Sequence, residues 1–296
     1  MMFNIVGNKK WFFLISGVFI MIALVSLALF RLKPGIEFSS GSILTIRFEQ
    51  QVEQGELQTA LSDLGYPNAI IQRTAGGDFI IRTHELSGEV KSNLEEILTT
   101  RFGNLSEVEF NSVSPIIATE TTRNAAIAVA FAAIGLLLYI AWAFRRMPSP
   151  FLYGVSAVIA IIHDIMITVG AFAILGRVLN WEINLMFVTG ILALVGYSVN
   201  NTVVVFDRIR ENLGRRISSD FAVVVNRSLL ETMGRCFNSV ITTEIAILAL
   251  LLFVGASIRN FGFVLLIGLI AGTFSSAFLA PLLVVTWEKI KEARTA

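Results

Sequence analysis

"VGYSVNNTVVVFDRIREN" occupies residues 195–212. Its first half is apolar enough for a membrane-spanning helix, and its second half is a burst of charge. Between the halves lie two adjacent amides, Asn200 and Asn201, at a depth where bilayer hydrocarbon tolerates neither. The stretch reads as the inner part of a span that runs straight into water. What two asparagines do there is the question that organises the rest of the chain.

The whole sequence has the composition that this reading requires. Of its 296 residues, 55% are hydrophobic and 15% charged, against about 25% charged in soluble domains. The net charge of +1 points to no nucleic acid partner and no acidic substrate. The single cysteine, Cys236, excludes an internal disulfide and reads as a buried, inert thiol. Two histidines are too few for a histidine-rich metal site.

A bilayer core needs about 20 mainly apolar residues per helix. Six segments qualify: Trp11–Phe30, Ala125–Phe144, Phe151–Leu175, Ile183–Phe206, Val240–Gly255 and Phe261–Trp287. The first has Lys9 and Lys10 ahead of it and Ser26-Leu27-Ala28 near its end, features shared with signal peptides. Its apolar run is longer than an h-region of about 7–15 residues, so an uncleaved span is expected. Positive charges cluster in alternate short loops. Lys9 and Lys10 precede span one, Arg145 and Arg146 join spans two and three, Arg208, Arg210, Arg215, Arg216 and Arg227 lie between spans four and five, and Lys289, Lys291 and Arg294 follow span six. The positive-inside rule then puts both termini in the cytoplasm, with the chain multi-pass in the cytoplasmic (inner) membrane. The expected organisation is 1–33 (N-terminus and span one), 34–122 (an extracytoplasmic domain) and 123–296 (spans two to six, with a cytoplasmic loop 207–236).

Within the outer domain the hydrophobic period switches repeatedly. "SILTIRF" (42–48) alternates as a strand, and "VEQGELQTALSDLGY" (52–66) has helical spacing of Leu57, Leu61 and Leu64. "NAIIQRT" (68–74) and "DFIIRTH" (78–84) form strands about a turn at Ala75-Gly76-Gly77. "LSGEVKSNLEEILTTRFG" (86–103) is helical with Gly103 as its stop, and "SEVEFNSV" (106–113) closes as a strand. The order βαββαβ is the split βαβ, ferredoxin-like plan. No nucleophile–base pair, cysteine ligand set or phosphate loop appears, so a binding module is expected rather than an enzyme. The fold class is therefore a six-span α-helical membrane protein with an α+β domain between spans one and two.

Ionisable groups inside a span cost at least about 2.5–3.5 kcal/mol and are functional candidates by default. His163 and Asp164 lie mid-span three, Glu244 about two turns into span five, and Arg235 just before that span. Each has a structural alternative: an ion pair for His163 with Asp164, one more positive-inside anchor for Arg235, interhelical ties for Ser198, Asn200 and Asn201. Glu244 has the least ready structural excuse. Gly268 and Gly272 form a small-xxx-small pair suited to close helix packing. Asp207 and Arg208 read as a solvated cap. "SSDFAVVVNRSLLETMGR" (218–235) reads as an amphipathic helix opening at a Ser219 cap and lying on the inner surface or against the bundle.

Taken in order, these motifs resemble one family. "PGIEFSSGS" (34–42) is similar to its glycine-rich motif after span one, "HDI" (163–165) to its span-three pair, and the span-four stretch with Gly196, Asn200, Asp207 and Arg208 to its most specific signature. "NRSLLETMGRCFNSVITT" (226–243) and "GTFSSAFLAPL" (272–282) resemble its last two blocks. The family is SecF, the smaller-subunit family of the bacterial SecDF translocation accessory complex, within the RND superfamily. The resemblance implies a SecD-like partner, association with the SecYEG channel, contact with exported polypeptide and membrane lipid, and use of the proton motive force. It implies no cofactor, nucleotide, metal or catalytic residue. The proton-coupling candidates are Asn201, Arg235, Asp164, Glu244 and His163. The sequence departs from the family pattern where Asn201 replaces the usual aspartate, Glu37 an aspartate, Ser40 a glycine, and Glu244 an aliphatic residue. An amide neither gains nor loses a proton in the physiological range. Two rival expectations remain: half of an RND-type small-molecule or lipid transporter, and an assembly subunit without proton coupling.

Overall fold

The computed structural model describes residues 4–74, 76–253 and 258–295. In chain order the first elements are α1 (Lys9–Phe30), α2 (Ile36–Ser39), β1 (Gly41–Phe48), α3 (Gln54–Asp63), β2 (Ile70–Arg73), β3 (Phe79–Thr83), α4 (Gly88–Phe102) and β4 (Leu105–Val113). There follow α5 (Pro115–Ala143), α6 (Pro150–Leu179), α7 (Leu185–Gly214), α8 (Phe221–Phe253), α9 (Arg259–Phe274), a π-helical turn (Ser275–Leu279) and α10 (Ala280–Thr295). The chain divides into two compact units, Pro34–Ala125 and Met1–Lys33 with Ala126–Ala296.

In the smaller unit four strands form one antiparallel sheet in the order β2-β3-β1-β4. With two helices between strands, this is the split βαβ arrangement. Alternation along the strands aims Leu44, Ile46 and Phe48 of β1, Ile71 of β2, and Phe79 and Ile81 of β3 into a core with Leu57 and Leu61 of α3 and Leu94 and Leu98 of α4. Thr74 and Asp78 pair across the β2–β3 turn, where Gly77 takes a left-handed φ of +91°; Ala75 lies outside the described residues. Leu57 is fully buried, so Leu57→Ala is expected to destabilise this unit by about 2–4 kcal/mol through lost transfer energy and a residual cavity. Protease resistance of residues 42–113 within the intact chain measures it; unchanged resistance would reject the packing described.

The glycine-rich stretch before β1 makes a sharp entry to the sheet. Gly41 has φ +120°, and a Cβ there would lie 2.7 Å from the Thr83 carbonyl oxygen. Ser40 precedes it at φ 62°, ψ 167°, a region that is nearly glycine-only and costs other residues on the order of 1–3 kcal/mol. Ser40→Gly is therefore expected to raise the stability of this unit by about 1 kcal/mol, net of the entropy glycine adds to the unfolded chain. A lowered melting temperature for Ser40→Gly would contradict it.

The larger unit holds six helical spans, the sixth continuing from α9 through the π-helical turn into α10. The protein is thus a multi-pass membrane protein with an α+β domain. α1 buries only Ser16, Ala23 and Ser26, small residues that let its backbone approach α6. Its long apolar side chains, such as Leu14, Met21 and Leu29, face outward. Opposite Ala23 stands Gly170 of α6, where an added Cβ would fall 2.5 Å from the Ala23 Cα. Gly268 packs in the same way against Leu194 of α7, whose side chain would lie 2.4 Å from such a Cβ.

Three sequence expectations are corrected. The stretch 218–235 is not a separate surface helix: it is the first half of α8, which runs unbroken from Phe221 to Phe253, because no glycine–proline break interrupts its 3.6-residue period. Its expected end at Gly255 lies outside the described residues. Asp220, not Ser219, caps it, its carboxylate accepting from the Ala222 N–H at 2.8 Å. The second span starts earlier than expected, at Pro115, where proline's fixed φ suits a first helical position and the Ser114 hydroxyl oxygen accepts from the Ile117 N–H at 3.4 Å.

At the end of the bundle where α7 gives way to α8, polar contacts stitch the helices. Arg208 is not only a solvated cap: its Nε donates to Glu231 at 2.7 Å and its Nη1 to Glu211 at 2.6 Å. Glu231 also accepts from Asn212 at 2.8 Å and from Arg227 at 2.9 Å. Asp207 pairs with Arg210 on the same helix. The Asn226 side-chain oxygen accepts from the backbone N–H groups of Ile5 and Val6, at 2.8 and 3.2 Å. Cys236 is a buried free thiol.

Candidate functional site

The deepest polar centre of the membrane unit is built on Asp164. Mid-α6, its carboxyl group is fully buried, and three elements supply donors to it. Ser198 of α7 donates to Oδ2 at 2.6 Å, and Ser275 of the π-helical turn donates to the same oxygen at 2.8 Å. His163 Nδ1 lies 3.0 Å from Oδ1. The other His163 nitrogen, Nε2, is buried without a partner among the described residues, and its ring stacks near Phe274 at 6.2 Å.

Local sequence explains why these groups meet. Pro281 has no N–H, and in a regular helix its ring clashes with the carbonyl four residues back, Ala277. The chain widens just before it: the Ala280 N–H reaches five residues back to the Ser275 oxygen. π turns of this kind often mark functional sites. Gly272, one turn earlier, leaves room for the acid, since a Cβ there would touch Asp164 Oδ2 and Ser198 Oγ, each at 3.3 Å. On α7, Ser198 and Asn201 are three residues apart and both buried, while Asn200 and Gly196 are on the exposed side. The two amides therefore have different surroundings despite being adjacent.

The arrangement can hold or release one proton at a carboxyl group. As a carboxylate, Asp164 Oδ2 accepts both serine hydroxyls. A proton placed on Oδ2 turns that oxygen into a donor, so at least one serine must find another acceptor; for Ser275 the Gly272 carbonyl stands ready at 3.2 Å. A change of protonation at Asp164 thus alters the ties among α6, α7 and the sixth span.

Of the sequence candidates, His163 and Asp164 come together here, and Asn201 shares the Ser198 face of α7. Arg235 and Glu244 both belong to α8 and do not join this hydrogen-bonded set. Arg235 is exposed. Glu244 sits with Val240, Ile247 and Leu251 at helical spacing, the side of α8 that packs against Tyr197, Leu265, Leu266 and Leu269. Its Oε1 is buried with no hydrogen-bond partner among the described residues. Sequence reasoning missed Ser275 and the clamp residues Asn212 and Glu231. The proline at 281 following a run of small residues was the available signal for the widened turn.

Known proteins resemble the chain along nearly its whole length. The family described as "Protein export membrane protein SecD/SecF, C-terminal" matches residues 93–290, and the "SecD/SecF GG Motif" matches residues 25–52. The chain is 42% identical to the protein translocase subunit SecF of Thermobaculum terrenum, over 97% of this chain and 94% of that one. It is 36% identical to the corresponding SecF of Anaerolinea thermophila, with the same coverage of 97% and 94%. A crystal structure of SecDF, a translocon-associated membrane protein from Thermus thermophilus, superposes with a TM-score of 0.83 at 30% identity. That match covers 98% of this chain but only 39% of the solved chain.

Proposed function

This chain belongs to the SecF family and is a SecF-like subunit of the Sec translocase accessory complex, and from that premise we propose that it couples protons to protein export through Asp164 rather than through Asn201. The observation that carries the proposal is the convergence of Ser198, Ser275 and His163 on one buried carboxyl group. Asn201, where the family resemblance leads one to expect an aspartate, has no proton to give. Asp164 is the acid whose state changes the bonds between spans. It acts as an accessory subunit without catalytic chemistry. The fused SecDF relative of Bacillus subtilis, of which this chain spans 38% of the length, supports a SecD-like partner that supplies the other half. SecYEG and the emerging polypeptide are the further partners of this reading.

The test is export into vesicles that hold the complete translocase with its SecD-like partner, measured with and without a proton gradient. Asp164→Asn is expected to lower the gradient-stimulated component about tenfold, within the usual span of coupling energies, and to leave the gradient-independent component intact. Asn201→Asp in the Asp164→Asn background is expected to restore part of it. Wild-type stimulation by Asp164→Asn would leave the assembly-subunit reading in its place.

The same proposal orients the chain, with both termini and the Glu231 clamp in the cytoplasm and the α+β unit outside, because arginines crowd the α7–α8 connection. In a Cys236→Ala background, Ser106→Cys is expected to react with an impermeant maleimide added outside intact cells and Ser218→Cys only after permeabilisation. The reverse pattern would invert the orientation.

A further inference from the structure

We infer that Tyr197 is a positioning residue that passes the protonation state of Asp164 across α7 to α8; the inference rests on the proton-coupling reading above. Tyr197 and Ser198 are consecutive, so on a helix their side chains leave the axis about 100° apart. Ser198 reaches α6, donating to Asp164 at 2.6 Å. Tyr197 reaches α8, where its hydroxyl is hydrogen-bonded to the Thr243 hydroxyl. The Thr243 hydroxyl oxygen lies 3.0 Å from the Ser239 carbonyl oxygen, and the tyrosine oxygen lies 3.4 Å from the same carbonyl. Two arrangements of the hydroxyl protons fit these contacts: Tyr197 donates to Thr243 and Thr243 to Ser239, or Thr243 donates to Tyr197 and Tyr197 to Ser239.

This makes α7 a rod held at one level from two sides. On one side its tie changes when Asp164 gains a proton, because Oδ2 then no longer accepts both serines. On the other side the tie is neutral, the Tyr197 hydroxyl meeting Thr243 and the Ser239 carbonyl, with the Tyr197 ring packed on the apolar cluster of Val240, Ile247 and Leu269. Packed interfaces respond to small shifts by switching rather than yielding continuously. A rotation of α7 that releases Ser198 therefore moves the Tyr197 hydroxyl against Thr243, and with it the helix that carries Arg235 and Glu244. The ionisable groups bordering this path are His163 and Asp164 on α6 and Glu244, the residue after Thr243, on α8. Tyr197 exchanges no proton in this scheme; it supplies the contact.

The experiment uses the same vesicles and the complete complex. Tyr197→Phe removes the hydroxyl and keeps the ring. It is expected to lower gradient-stimulated export about fivefold or more while gradient-independent export and complex assembly stay at wild-type levels. Combined with Asp164→Asn it should lower export no further than Asp164→Asn alone, because both act on one path. Thr243→Val should reproduce the Tyr197→Phe result, and Thr243→Ser, which keeps the hydroxyl, should behave as wild type. If Tyr197→Phe fails to accumulate, the Thr243 pair decides alone. Full gradient stimulation in Tyr197→Phe and Thr243→Val, with Asp164→Asn impaired, would overturn this inference and leave the proton-coupling reading standing. Equal loss with and without the gradient would reduce Tyr197 to a packing residue and overturn it too. Unimpaired Asp164→Asn would overturn both.

Discussion

Gly170→Val is expected to prevent α1 from seating and to cost the membrane unit about 3 kcal/mol or more, at or above the upper end of usual overpacking effects. The added Cβ would lie 2.5 Å from both Cα and Cβ of Ala23 and 3.2 Å from its carbonyl oxygen. Side-chain tips can swing away from such a contact, but a backbone cannot, so the whole first span must move. The other ties of α1 lie about three turns away at its start, where Phe12 stacks on Phe278 with ring centroids 4.4 Å apart and Lys9 donates to Thr286 at 3.2 Å. Gly135→Val is the matched control: it is also in a membrane helix, and nothing lies within 4 Å of its virtual Cβ. Thermal unfolding in detergent should separate the two variants clearly. Gly170→Ala should be milder and only partly relieved by Ala23→Gly, which removes the opposing methyl group but leaves the Ala23 Cα 2.5 Å from the added Cβ. Equal melting temperatures for Gly170→Val and Gly135→Val would disprove the close crossing of α1 and α6.

Glu231→Ala is expected to cost about 2 kcal/mol, less than a fully buried charged hub because the carboxylate is partly hydrated. Its two oxygens accept from Arg208, Asn212 and Arg227, and Asn212 is itself buried beside Ser228. Removing the carboxylate takes an acceptor from three donors at once. Glu231→Gln should be intermediate, since its amide oxygen still serves Asn212 while the attraction to two guanidinium groups is gone. Glu211, with a side chain 41% exposed, pairs with Arg208 and Arg215 at the surface. Glu211→Ala should therefore change stability by no more than about 0.5 kcal/mol. Chemical unfolding monitored by protection of the α7–α8 segment is the measurement. Loss in Glu211→Ala as large as in Glu231→Ala would mean that the network is only a diffuse field of surface charge.

The spans were legible because hydropathy integrates over about 20 residues and forgives local detail. The α+β domain was legible because its period switches between 2 and 3.6 at each element, as at Leu44, Ile46 and Phe48 against Leu57 and Leu61. Asp164 could be singled out because a lone acid in an apolar run has no ordinary reason to be there. Its serine partners could not, because serine is common in spans and bonds to its own helix backbone in most of them, as Ser26 does here to the Ile22 carbonyl. The joining of 218–235 to the fifth span was hidden for a different reason. An amphipathic pattern states which side of a helix is wet, and says nothing of where the wet half ends and the hydrocarbon half begins.

The fastening of Ile5 and Val6 to Asn226 has a consequence for biosynthesis. The partners are separated by 221 residues, and Lys9 meets Thr286 across 277. At about 5–20 residues per second, roughly 10–45 s pass between synthesis of Ile5 and synthesis of the amide that receives it. During that interval Ile5 and Val6, both buried in the finished protein, have nowhere to bury themselves. The end of the bundle at Ile5 and Val6 is thus sealed only after the chain has grown by another 221 residues. A chain released before residue 226 keeps Ile5 and Val6 exposed, a mark of incompleteness that quality-control proteases can read.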